Sequence, residues 1–264
     1  MKLLIQSDDY GLTRAVSQGI IHGIRHGILR NTGMFVNMPW TEECFQLIEP
    51  YLDRISLGID LNVTSGYPIA RKEEIPNLLT KHGEFYSSSE RKRFLIDNDT
   101  VELRYYEEFY KEFDAQIQKF IQLTGKKPDY IHPHAFMTSE IIQVQKDLAK
   151  KYGVVYTLDM LKQIEAKNAL EMLSTWYIKP ASYTNQLKSS LKEYILKNED
   201  ELLKKEYCIL IGHMGYVDKD LMDLSSFNLY RINDLEAVTS KEIKQWVQTN
   251  NVDVITYRDL PIMD

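Results

Sequence analysis

Cysteine is nearly absent from the chain: of 264 residues only Cys44 and Cys208 are cysteines. Two cysteines cannot form a disulfide framework, and Cys208 lies in the apolar run "YCILIG", where a buried reduced thiol is expected. Long apolar runs are missing too. Neither the N-terminus nor any later stretch reaches membrane-spanning length, so no membrane partner and no standard secretory signal are expected. Basic residues are in deficit, with 32 Lys and Arg against 38 Asp and Glu and a formal net charge of -6. Nucleic acid is therefore not an expected partner, since neutralising phosphates needs a basic patch. No glycine-rich phosphate loop or dinucleotide fingerprint follows any predicted strand. No internal repeat, low-complexity tract or linker interrupts the chain. A cytoplasmic enzyme is the expectation these absences leave.

What is present is an ordinary globular balance, 44% hydrophobic and 27% charged. The length suits one large α/β unit, taken as a single domain over residues 1–264. Seventeen tyrosines and three tryptophans make an aromatic-rich set. Sugar-binding clefts use such rings, because aromatic faces pack on the apolar faces of sugars; ordinary packing uses them as well.

Strand-like and helix-like segments alternate from end to end. Strands are expected at 2–8, 31–38, 55–62, 129–135, 154–159, 206–213 and 252–260, with a further one at 176–180 in "WYIKP". Helices are expected at 13–27, 40–52, 101–123, 139–153 and 233–250, and mainly helix at 184–205. Thr41 and Ser139 read as caps, and Gly27, Gly125 and Gly153 as stops. The stretch from Val63 to about Thr100 breaks the rhythm, and loops of that length in compact folds are commonly functional or mobile. Such alternation implies a parallel sheet with helices outside it. A TIM-barrel-like α/β fold, an irregular barrel of about seven strands, fits the count better than an open two-layer sheet. The active site of such a fold lies at the carboxyl ends of the strands.

Polar residues gather at those ends. Strand 1 ends in Asp8-Asp9, strand 3 in Asp60 and Asn62, the fourth in "HPH" with His132 and His134, and a late strand in His213. His and Asp together suit a divalent metal of the zinc, manganese or magnesium type. Such a cation offsets the cost of buried carboxylates, polarises a carbonyl and acidifies water, while a carboxylate beside it takes the proton. Taken singly each residue has a plainer reading: "SDD" as a helix cap, a lone histidine as a satisfied core residue. His22, His26 and His82 read as structural or solvated.

These residues resemble those of a known family, the YdjC-like (chitooligosaccharide deacetylase type) carbohydrate deacetylases. "LLIQSDDYGLTRAVSQGIIHGIRHGILRNTGMFVN" is similar to the family's opening strand, DDFG-like motif, helix and second strand. "LGIDLNVTSGYPI", "GKKPDYIHPHAF", "IGHMGYVDKDL" and "YRINDLEAVTS" resemble its later segments in the same order, and only about 160–205 contributes nothing. The resemblance implies a TIM-barrel-like hydrolase that uses a divalent metal, magnesium or zinc, to release acetate from N-acetylated mono- or oligosaccharides. It implies Asp9 and His134 as metal ligands, Asp8 as general base, His213 as the acid or transition-state partner, and Arg231 as a supporting residue. Asn62 is a further candidate for substrate or support. Members of the family often pair, so a homodimer is compatible with it.

Two positions depart from the family pattern. Asp60 stands where a metal-binding histidine is usual, and His132 where an aspartate is usual. The changes look reciprocal. The expectation is that Asp60 takes the ligand role and His132 becomes a fourth ligand or an orienting group. Two anionic ligands, Asp9 and Asp60, shift preference towards harder cations. Two other classes remain open on the residues alone: a metal-dependent barrel enzyme of other chemistry, an epimerase or phosphoesterase, and a catalytically silent sugar-binding relative. For the phosphoesterase only Arg231 and Lys179 offer cations.

Overall fold

The apolar run that opens the chain folds as β1 (Lys2–Tyr10), buried along nearly its whole length. The computed structural model describes residues 1–97, 105–165, 169–173 and 175–261. Then follow α1 (Arg14–His26), β2 (Asn31–Met34), α2 (Thr41–Ile48), β3 (Ser56–Leu61), α3 (Ser88–Asp97) and α4 (Tyr106–Thr124). The middle of the chain forms β4 (Tyr130–Pro133), α5 (Ser139–Tyr152), β5 (Val155–Tyr156), α6 (Thr157–Glu165) and β6 (Ala169–Leu173). The last part forms α7 (Tyr183–Lys188), α8 (Leu191–Lys197), α9 (Glu199–Leu202), β7 (Tyr207–Gly212), α10 (Lys219–Leu224), α11 (Tyr230–Thr239), α12 (Lys241–Thr249) and β8 (Asp253–Ile255).

Every strand pairing is parallel, in the order β5-β4-β3-β2-β1-β7-β6, with β8 also on β1. Among the described residues no pairing joins β5 to β6, so the sheet is an open half-barrel of the TIM-barrel-like kind. β1 is its axis. One edge pairs with β7 from Lys2 to Ser7; the other pairs with β8 from Lys2 to Leu4 and with β2 from Gln6 to Tyr10. Asn31 closes that fork. Its amide donates to the carbonyls of Ile5 (3.0 Å) and Ile255 (3.1 Å), and its oxygen accepts from the Tyr257 N–H (3.0 Å).

The two-residue period of the strands separates two cores. Leu3, Ile5, Leu57, Ile59 and Ile131 pack against helices, with Val16, Ile20 and Ile24 of α1 and Phe113 and Ile117 of α4. Leu4, Tyr130, Tyr207, Ile209, Ile211, Ile255 and Tyr257 fill the inside of the half-barrel. The same inward period brings Gln6 and Asp8 from β1, Asp60 from β3 and His132 from β4 to the layer above. Two glycines make room for it. A Cβ on Gly58 would collide with the Tyr130 ring, and one on Gly33 with the Asp60 carboxylate.

The local differences from expectation have physical causes. β2 stops at Met34, and β5 has two residues because Thr157 already opens α6. Trp176 ends a turn and Tyr177 follows it in irregular chain, and the strand of that region is β6, upstream of the expected 176–180. The cap of α5 is Thr138, one residue before Ser139, with its hydroxyl accepting from the Ile141 N–H. Thr41 does not cap α2; its hydroxyl bonds back to Met38. The expected helix 233–250 is two helices, because Ser240 adopts an extended conformation and caps α12. Positions 101–104 of the expected helix 101–123 lie outside the described residues, as do 98–100 of the long irregular stretch.

That stretch, entered from β3, is fastened to α4 by a buried carboxylate. Glu112 accepts from the backbone N–H groups of Ile69 (3.1 Å) and Ala70 (3.0 Å) and from the Gln116 amide (2.7 Å). Gln116 in turn donates to the Asn62 carbonyl (2.6 Å) and accepts from its N–H (3.1 Å). Burial, working against these donors, pushes the Glu112 pKa from 4.5 up to about 7. A carboxyl raised in the folded state contributes stability that is complete below about pH 4.5 and lost as pH rises through about 7. The difference corresponds to about 3 kcal/mol. Urea unfolding of wild type and Glu112→Gln across this range checks it: the wild type should lose about 3 kcal/mol relative to the variant, and parallel pH profiles contradict it.

Candidate active site

The site begins where β1 ends. Asp9 has φ 72° and Gly11 φ 90°, so the chain turns sharply through two left-handed residues. Aspartate is one of the few side chains that tolerates this region. In a regular strand Asp8 and Asp9 would point to opposite faces. The turn instead lets the Asp9 carboxylate meet groups above the strand ends, while Asp8 keeps the inward direction of Leu4 and Gln6.

Asp8 accepts from an amide at one oxygen and faces two imidazoles with the other. Gln6 donates to Asp8 Oδ1 (2.6 Å), and Tyr257 fixes Gln6 by donating its hydroxyl to Gln6 Oε1. Asp8 Oδ2 faces His132 Nε2 at 3.5 Å and His213 Nε2 at 4.0 Å. The other nitrogen of His132 is paired with the Thr157 hydroxyl at 2.8 Å. Asp9 is gripped harder: Arg231, delivered by α11, donates to its Oδ2 at 2.5 Å, and His134 Nδ1 stands 3.0 Å from its Oδ1. Asp60 accepts from the Asp9 N–H at 2.8 Å. In the β3–β4 register Asp60 lies directly opposite His132.

Three buried carboxylates thus meet in one cluster, and their neighbours sort their charges. Burial raises the pKa of Asp9, yet Arg231 and then His134 outweigh it and hold this carboxyl well below the usual range. Burial likewise opposes the charge on Asp8, but His132 more than offsets that and lowers its pKa. His132 is raised in return, since Asp8 outweighs the cost of burying its charge. Asp60 has no such help. Burial and the Asp8 charge push it well above the ordinary range. His213 is lowered, first by burial.

The expected site residues Asp8, Asp9, Asp60, His132, His134, His213 and Arg231 are therefore brought together. Asn62 is not among them. It faces the following loop, donating to Asn37 Oδ1 (3.1 Å) and the Ser65 carbonyl (2.9 Å), so its work is to shape that loop. Three residues behind His213 escaped sequence reasoning. Asp234 accepts from the Trp176 ring N–H (2.8 Å), from the His213 backbone N–H (2.9 Å) and from the Tyr177 hydroxyl. Burial raises Asp234 to about 6 against these donors. A signal existed: Arg231 and Asp234 stand at i and i+3 among Tyr230, Leu235 and Val238, charges on the buried face of a helix.

The cluster fits a divalent cation in its chemistry. Asp9 Oδ1 and Asp60 Oδ1 are buried without a hydrogen-bond partner, and His134 adds an imidazole beside the first. The missing Cβ of Gly33 leaves the space that the Asp60 carboxylate occupies. Among the described residues, however, no three His, Cys, Asp or Glu side chains are already gathered as a metal cluster; the acids are engaged with Arg231 and the histidines instead.

Removing Arg231 tests the charge balance. Asp9 and Arg231 are both about 1% exposed. Arg231→Met leaves the carboxylate buried and unpaired, with an expected loss of roughly 3–5 kcal/mol at pH 7. Because Asp9 is depressed in the folded state, the stability from its pairing is present above the unfolded value of 3.8 and fades as pH falls below it. Urea denaturation should show the deficit shrinking in acid; a deficit independent of pH contradicts this balance.

Known proteins resemble the chain along nearly its whole length. A family model described as YdjC-like protein matches residues 2–249. The chain is 31% identical over 265 residues to "Carbohydrate deacetylase 2" of Listeria innocua, covering 99% of both chains. It is 27% identical over 266 residues to the "Chitooligosaccharide deacetylase" of Proteus mirabilis, covering 98% of both. A crystal structure from Enterococcus faecalis, whose name refers to cellobiose-phosphate cleavage, superposes with a TM-score of 0.75 at 25% identity over 99% of each chain. The family match runs over nearly the whole chain, and the chain belongs to the YdjC-like protein family.

Proposed function

We propose that the protein is a divalent-metal-dependent hydrolase that removes acetyl groups from N-acetylated sugars or oligosaccharides of the chitooligosaccharide type, releasing acetate. The observation that carries this reading is the meeting of Asp8, Asp9, Asp60, His132, His134 and His213 at the carboxyl ends of β1, β3, β4 and β7. The relatives named as carbohydrate deacetylases support the substrate class.

Asp9, Asp60 and His134 are the residues that would hold the ion, magnesium or zinc. Bound there, it would supply polarisation of the acetyl carbonyl and acidification of water. The protein's own groups do the rest. Asp8, ionised beside His132 and fixed at Oδ1 by Gln6, takes the proton of the attacking water through Oδ2. His213 directs Nε2 into the same space, 3.9 Å from Asp9 and 4.0 Å from Asp8, and hands a proton to the leaving sugar nitrogen. An amide needs such an acid, because an unprotonated amine leaves poorly.

The reciprocal departure from the family pattern supports one shared site. Asp60 and His132 are cross-strand partners, so acid and imidazole have exchanged places across a single rung of the sheet. For phosphoester chemistry the cation supply is thin, since Arg231 is buried against Asp9.

Acetate detection with acetylated sugars and added magnesium, manganese, zinc or cobalt tests the activity. Sugar binding without acetate release would favour the silent relative. Asp8→Asn should lower kcat for acetate release by about 10²–10⁴-fold while calorimetric binding of the ion persists. Near-normal turnover in that variant removes Asp8 from the role of base.

A further inference from the structure

We infer that Tyr177, anchored by Asp234, is a positioning residue that decides which nitrogen of the His213 ring carries the hydrogen of the neutral form, leaving Nε2 bare towards the reacting atoms. The inference rests on His213 acting as the proton donor proposed above. Three donors converge on the two oxygens of Asp234: the Trp176 ring N–H on Oδ1 (2.8 Å), and the His213 backbone N–H (2.9 Å) and Tyr177 hydroxyl on Oδ2. A carboxylate surrounded in this way only accepts. The single proton of Tyr177 is therefore committed to Asp234.

What remains on the Tyr177 oxygen is its lone pairs, and two groups of His213 approach them. The backbone N–H of His213 lies 3.1 Å away and the ring Nδ1 also 3.1 Å away. With its proton spent, Tyr177 can only accept at that contact, so Nδ1 must carry hydrogen. The neutral ring is then the Nδ1–H form, with Nε2 free of hydrogen towards Asp8 and Asp9. In its charged form the extra proton sits on Nε2, the nitrogen turned to the two aspartates. A hydroxyl that donated to Nδ1 would reverse this and leave no acceptor position at Nε2.

The rings around Tyr177 keep it from rotating out of this role. It is buried, stacks on Tyr230 with centroids 4.2 Å apart, and meets the edges of Trp176 and Phe227 at 5.3 Å and 5.7 Å. Tyr230 spends its own hydroxyl elsewhere, on the Ile178 carbonyl at 2.6 Å, and so makes a matched control.

Long-range proton–nitrogen NMR on protein labelled with 15N-histidine reads the tautomer directly, with His213→Gln to assign the signal. In the wild type the neutral His213 ring should carry its hydrogen on Nδ1. Tyr177→Phe should move the hydrogen to Nε2 or mix the two forms, and lower kcat for acetate release by about 10–100-fold with KM near the wild-type value. Tyr230→Phe should retain the wild-type tautomer. Hydrogen on Nε2 in the wild type overturns the inference. So does a Tyr177→Phe protein that keeps hydrogen on Nδ1, whether its activity is unchanged or falls with a parallel rise in KM. The NMR readout needs no substrate, so it decides the role of Tyr177 even if no acetylated sugar is turned over.

Discussion

The meeting of three buried carboxylates is the constraint on which the rest of the molecule depends. Asp8 and Asp9 come from β1 and Asp60 from β3, with β2 between them in one parallel sheet, and like charges close together in a buried site repel strongly. Each is settled by a different element. α11 brings Arg231 to Asp9, β4 brings His132 to Asp8, and the residue that follows β4, His134, brings a second imidazole to Asp9. Asp60 receives one backbone N–H and keeps one oxygen without a partner. The glycines at 33 and 58, the left-handed turn at Asp9 and the buried face of α11 are what a chain needs to build this arrangement.

The charge arrangement also separates the roles of groups that are chemically alike. Asp8 and Asp9 are adjacent aspartates, yet one is fixed by a neutral amide and faces two imidazoles, and the other is locked by a guanidinium. His132 and His213 both face Asp8, but with opposite outcomes: Asp8 outweighs burial for His132, whereas burial dominates for His213. Acid and base functions can share a small site when the surroundings drive their affinities for protons apart.

The strand ends were legible in the sequence because a parallel sheet leaves them no freedom. An apolar run that ends in a polar residue marks the carboxyl edge, and Asp8, Asp60, His132 and His213 all follow that rule. The family pattern added Arg231, whose helical spacing among Tyr230, Leu235 and Val238 agrees with a buried position. Tyr177, Trp176 and Asp234 were hidden for a different reason: two sit at the end of a turn and just after it, in a stretch that reads locally like a strand, and their partner lies nearly sixty residues later on a helix. Asn62 was misdirected by its place at a strand end; its contacts with Asn37 and Ser65 belong to the loop. β6 and the split between α11 and α12 depend on tertiary packing and on one capping serine, which carry little periodic signal.

The proposed function requires that this cluster of acids take up a cation. Calorimetric titration of magnesium, manganese, zinc and cobalt ions into the intact protein near neutral pH tests it most directly. Saturable binding of about one ion per chain is expected for at least one of these metals, with sharply weaker binding for Asp60→Ala, in keeping with metal uptake by deprotonated ligands. Absence of saturable binding by the wild type for all four ions, with the chain folded, would contradict it.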